Sequence, residues 1–176
     1  GATDTIMTGY GALPTQVIYC FNADGTPASF SPIKTFRYPD GSVDTMRGNS
    51  GRGLRAGSDG NILASQGYWV VKIEYQTGLA IVKIDPFFGL GPGGTSFNPC
   101  AVGTSINGEV YVSAVINGYP MKRFDSNLDF IDNPVDTVND FGRTLIVSGD
   151  GFSIYDTRFT APFVKKYVRE DEISPF

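Results

Sequence analysis

Residues 51–86, GRGLRAGSDGNILASQGYWVVKIEYQTGLAIVKIDP, constrain the chain more than any other stretch. Asp59-Gly60 is a pair that suits a two-residue hairpin needing positive φ. Leu54 and Ala56 precede it on one face of an extended segment, and residues 62–65 follow as a short apolar run. Gly67 breaks that run. Residues 68–75 are then rich in aromatic and β-branched types, which favour a strand. Gln76-Thr77-Gly78 turns the chain, residues 79–84 return, and Pro86 stops them. No segment sustains a 3.6-residue apolar period over about ten residues, so helix is the weaker reading. The stretch reads as four short strands in an up-and-down order.

The unit recurs. Asn107-Gly108 corresponds to Asp59-Gly60, and Val110, Tyr111, Val112 and Ser113 correspond to Ile62, Leu63, Ala64 and Ser65 at an offset of 48. Residues 120–125 supply a third strand, Ser126-Asn127 a turn, and residues 128–131 a fourth strand. A third copy is expected from Thr144, with Ser148 in the place of Ser65 and Ser113, a turn at residues 149–151 and a strand over residues 152–156. An aromatic-polar pair closes each third strand in this scheme: Phe21-Asn22, Tyr75-Gln76, Phe124-Asp125 and Tyr155-Asp156. A β-sandwich also places aromatics before turns. The linked repeats favour an all-β protein, a β-propeller of four-stranded antiparallel blades. One domain over residues 1–176 is expected, with about two complete and two partial blades. Closed propellers need about four to eight blades, so the chain is a small ring, part of a larger ring, or an open arc completed by another chain.

Elsewhere the elements are shorter. A strand is possible at residues 5–8 and firm at residues 17–21, with a turn at residues 22–25. Residues 29–38 return irregularly, because Pro27 and Pro32 confine them to an edge. Residues 39–52, 87–99 and 132–143 are expected as loops, the second folding Phe87, Phe88 and Phe97 over the domain. The tail is expected as a strand as far as Val168, then a charged exit over residues 169–172.

Composition excludes several functions. With 41% hydrophobic and 18% charged residues the chain is expected to fold. The net charge of −4 and the lack of a basic stripe disfavour nucleic acid. No apolar run is long enough for a membrane-spanning helix. There is no histidine, which excludes serine–histidine and cysteine–histidine hydrolases and histidine-ligated zinc. Cys20 and Cys100 show no metal-ligand spacing; buried thiols are favoured over a disulfide, which stays open. The chain begins at Gly1, as a processed or excised product would. Few lysines with abundant Thr, Ser, Asn and Gly give a secreted, bacterial, extracellular or cell-surface expectation.

The segments GLRAGSDGNILAS and AVGTSINGEVYVS resemble NHL-type and gluconolactonase-like propeller repeats. VVKIEYQTG and PMKRFDSNLDF resemble the strand-turn-strand that finishes such repeats. The resemblance covers residues 52–156 and implies propeller architecture, but that repeat hosts binding proteins and enzymes alike. No catalytic or metal position of the gluconolactonase-like enzymes can be carried onto this sequence.

A site is expected on the rim formed by the loops that leave the outer strands and those between second and third strands. Tyr68 and Trp69 lie there with Arg47 and Arg52, and Tyr119 in the corresponding loop of the next unit. Aromatic faces with arginines suit a sugar, a peptide or an aromatic ligand, although Trp69 is as easily a blade-core residue. Asp125, Asp129, Asp132, Asp136 and Asp140 cluster in sequence, which suggests calcium or acid–base work on a glycosidic bond. Aspartates are also ordinary turn residues. Ser65, Ser113 and Ser148 recur, so they read as structural. The expected function is a binding or assembly module for protein or glycan, without chemistry or cofactor. The alternative is a hydrolase or lyase acting on sugars or lactones through Asp or Glu, with calcium. Self-association through open sheet edges is a further expectation.

Overall fold

The computed structural model describes residues 5–8, 17–46, 53–66, 69–84, 99–114, 118–138, 142–158 and 162–170. They form fifteen strands and no helix among the described residues. The central unit is a four-stranded antiparallel meander, β5 (Gly53–Ala56), β6 (Ile62–Gln66), β7 (Trp69–Ile73) and β8 (Ala80–Ile84). The next meander comprises β9 (Pro99–Thr104), β10 (Val110–Ala114), β11 (Tyr119–Phe124) and β12 (Phe130–Val138). A third sheet has three strands, β13 (Gly142–Val147), β14 (Ser153–Arg158) and β15 (Val164–Val168). Ahead of these, β1 (Thr5–Thr8) pairs with β2 (Ile18–Phe21), and β3 (Thr35–Arg37) pairs with β4 (Val43–Thr45). Bridges at Phe21–Pro27 and Ile18–Ile33 join the two pairs, so the irregular return past the prolines is as expected.

Turn chemistry sets the register. Gly60 and Gly108 take φ of +80° and +89°, and each follows the Asp or Asn that the hairpin needs. Asp59 accepts the backbone N–H of Asn61 at 3.0 Å, and Asp125 accepts those of Asn127 and Asp129. Leu128 also takes a positive φ, 70°, with its side chain buried between two sheets, where that burial helps hold the conformation.

With the two opening pairs counted as one unit held by those bridges, four sheet units pack in chain order, and three apolar layers lie between them. The first layer joins Ile18, Cys20, Ile33 and Phe36 to Ala64, Val71 and Ile73. The second joins Leu63 and Val70 to Val102, Val110, Val112, Tyr119 and Phe124. The third joins Ala101, Tyr111, Met121 and Val135 to Leu145 and Ile154. Strand alternation produces this: Ala64 faces the first layer while Leu63 faces the second, and Val112 faces the second while Tyr111 faces the third. Gly103 lets β13 approach β9 closely, since a Cβ there would collide with Leu145 Cδ2 and lie 3.3 Å from Leu145 O. The result is an all-β, propeller-like stack of antiparallel sheets. A closed ring is not formed among the described residues.

Three expectations change. Residues expected as the loop 39–52 include β4, and those expected as the loop 132–143 lie largely in β12 and β13. Their polar residues belong to outer, solvent-facing strand positions, which composition does not separate from loops. Tyr155-Asp156 does not close a third strand; it lies inside β14. The tail forms β15 through Val168 as expected, but Arg169 is buried, 3% exposed, not part of a solvated exit. Phe87, Phe88 and Phe97 lie outside the described residues.

Candidate functional site

In a meander, successive turns alternate between the two ends of the sheet. Of the segments expected to form the site at one end of the sheets, residues 47–52, 67–68, 87–98, 115–117 and 139–141 lie outside the described residues, and residues 149–151 instead turn between β13 and β14 at the opposite end. Arg47, Arg52 and Tyr68 are among the former. Trp69 opens β7, but its side chain is outside the description. Tyr119 is placed fully: it opens β11 and is buried in the second layer, 2% exposed.

Toward that same end each second strand carries a hydroxyl. Ser65 Oγ accepts the Gly53 N–H at 2.8 Å, and Thr157 Oγ1 accepts the Thr144 N–H at 3.0 Å. Ser113 holds the corresponding place on β10 opposite Ala101, fully buried, with no hydrogen-bond partner for its Oγ among the described residues. Ser65, Ser113 and Thr157 are therefore the repeated set. Ser148 is not equivalent: it lies in the turn before β14, where it accepts the Ser153 N–H and donates to Asp150.

The opposite end is tied between sheets by polar side chains. Lys72, nearly buried, reaches Asp59 Oδ2 and Ser126 O, both at 2.5 Å. Burial would raise the Asp59 pKa, but the Lys72 and Asn61 hydrogen bonds and the lysine charge outweigh it and hold the carboxyl below its ordinary value. Thr104 Oγ1 donates to Ala56 O at 2.9 Å. Arg123 pairs with Asp132 through Nε at 2.9 Å and with Glu109 at 3.2 Å. Tyr111 OH donates to Glu109 at 2.6 Å, and Arg169 approaches the same carboxylate at 3.5 Å from the next sheet. Burial, then Glu109, pushes the Tyr111 phenol well above its usual range. This network joins sheets, and each of its charges faces an opposite one.

The carboxylates expected as a cluster are dispersed among these tasks. Asp125 caps a turn and Asp132 is held by Arg123; Asp129 and Asp136 are exposed, and Asp140 lies outside the described residues. No group of three or more His, Cys, Asp or Glu suited to a metal occurs among the described residues. Asp156 is fully buried at the position where the neighbouring sheets place Val112 and Ala64. Cys20 is a buried free thiol, and burial raises its pKa.

A groove of about 560 Å³ opens between the first two sheets, a feature the sequence reading did not anticipate. Phe30, Pro32, Val43 and Leu79 supply its apolar lining, and Lys34 and Arg37 its charge. Its residues come from β3, β4 and the start of β8, distant in sequence, so no local motif announces it.

No protein-family model matches the chain, and no curated protein does. Solved structures are similar in fold. Hydrazine synthase of Kuenenia stuttgartiensis shares 14% identity at a TM-score of 0.52, over 67% of this chain and 32% of that one. A gluconolactonase from Xanthomonas campestris shares 13% identity at a TM-score of 0.52, over 85% of this chain and 44% of that one. The chain thus spans less than half the length of either, and at these identities the likeness concerns the fold alone.

Proposed function

We propose that this chain is a propeller-type binding and assembly module whose partner is a second copy of itself. One observation carries the reading. Leu63, Tyr111 and Tyr155 occupy the same place in successive sheets, opposite Arg55, Gly103 and Ile146 respectively. Leu63 and Tyr111 are buried under the following sheet, whereas Tyr155 is 36% and Ile146 54% exposed. Val164 and Val168 are also exposed, and strand alternation puts them on the same face. The last sheet thus presents outward the face that the preceding sheets bury.

At the other end of the stack, Tyr19 points away from the first layer, since Ile18 and Cys20 fill it. A head-to-tail pair would lay one end against the other. Two copies would supply about as many blades as one ring of the propeller class. Covering the four half-exposed apolar side chains contributes on the order of 1 kcal/mol each. The self-association expected at sheet edges is thereby assigned to a sheet face. Placement outside the cell belongs to the same proposal, on compositional grounds.

Sedimentation over rising concentration tests it. A dimer is expected well below about 100 µM, and Tyr155→Glu should return the chain to monomer with its thermal unfolding unchanged. A wild-type monomer at that concentration would overturn the assembly reading.

The second reading, sugar or lactone hydrolysis, draws on the likeness to a gluconolactonase. It calls for convergent carboxylates, and the described ones with close partners are engaged in turns and ion pairs.

A further inference from the structure

We infer that the groove between the first two sheets binds an extended acidic peptide. Lys34 and Arg37 line it and are exposed, and neither side chain has a hydrogen-bond or ion-pair partner among the described residues. The chain carries 18 acidic against 14 basic residues, yet among the described residues no Asp or Glu lines this groove. The charge there is opposite in sign to that of the molecule, which selects an anionic partner.

The apolar lining selects further. Leu79 and Val43 are 40% and 57% exposed, and half-buried Phe30 and Pro32 sit beside them. A hydrated inorganic anion gains nothing from such walls, whereas a segment alternating acidic and apolar side chains uses both. β8 begins at the groove and is one of the two edge strands of its sheet. An edge strand offers unpaired backbone N–H and C=O groups to an added extended chain. In that pose one row of peptide side chains lies on Phe30 and Leu79, and the acidic row meets Lys34 and Arg37.

The inference is independent of the self-association proposed above, and the test separates them. A fluorescein-labelled short peptide alternating Glu and Val is titrated against the full chain and against the Tyr155→Glu variant, with anisotropy as the readout. Saturable binding is expected to both proteins, weakening as salt rises. Lys34→Gln combined with Arg37→Gln should weaken it about tenfold. Both positions are exposed, so circular dichroism and thermal unfolding should be unchanged. Leu79→Asp should also weaken binding, by removing the apolar wall. Equal binding of a control peptide with Lys in place of Glu would overturn the inference. So would peptide binding untouched by the double substitution, or binding of benzoate with none of the peptide.

Discussion

At the residue scale, the hydroxyls on the second strands show how one position serves different ends in successive sheets. Ser65 satisfies the Gly53 N–H, while Ser113 Oγ has no partner among the described residues. Ser65→Ala should cost about 1–3 kcal/mol because it leaves a buried donor unpaired, and Ser113→Ala should be neutral or stabilising. Chemical denaturation of the two variants checks the order. Asp59 gives a pH signature. Its pKa is depressed in the folded state, so its contribution is complete above the unfolded value, near 4, and is lost as pH falls through the folded one. Asp59→Asn should lower stability at neutral pH and flatten the decline below about pH 4. Denaturation midpoints measured against pH report both effects. The asparagine Oδ1 can still accept the Asn61 N–H, whereas the two contacts of Oδ2, with Lys72 and with the Asn61 side-chain amide, are lost.

At the scale of elements, Gly103 sets the spacing of two inner strands. Gly103→Ala should destabilise by about 1–3 kcal/mol, because Leu145 and the β13 backbone must both give way. A lowered unfolding midpoint with unchanged m-value would be the expected record. The central meanders were legible in the sequence because their hairpins have equal length, so an offset of 48 carries Ser65 onto Ser113. The last sheet was not, for a physical reason. Its first turn, closed by Ser148 and Ser153, is one residue longer than the turn closed by Ser105 and Glu109. Three apolar residues and a serine precede this turn in the last sheet but follow it in the two central ones, so the run alone does not tell which strand Ser148 belongs to. β12 runs beyond the residues 128–131 expected as a strand, because the polar Asp132, Asn133 and Asp136 lie on a bulged outer strand. The groove stayed illegible because its walls come from strands that meet only through stacking.

At the scale of the whole molecule, three apolar layers between four sheet units account for the architecture, and a face left over at the end accounts for the proposed assembly. A head-to-tail contact closes into a ring or runs on into a filament, depending on the rotation between copies. Light scattering of Ile146→Lys beside the wild-type chain distinguishes these products from a monomer. The expected rim site involving Tyr68, Trp69, Arg47 and Arg52 belongs to residues whose side chains are outside the described set, whereas Tyr119 serves the core.

Lys72, Thr104 and Arg169 all cross from one sheet to the next at the same end of the stack. They rivet the sheets as the ribs of a fan are pinned at its base. Any torque that spreads neighbouring ribs must therefore swing them about that pin, and the distance opened grows toward the opposite rim.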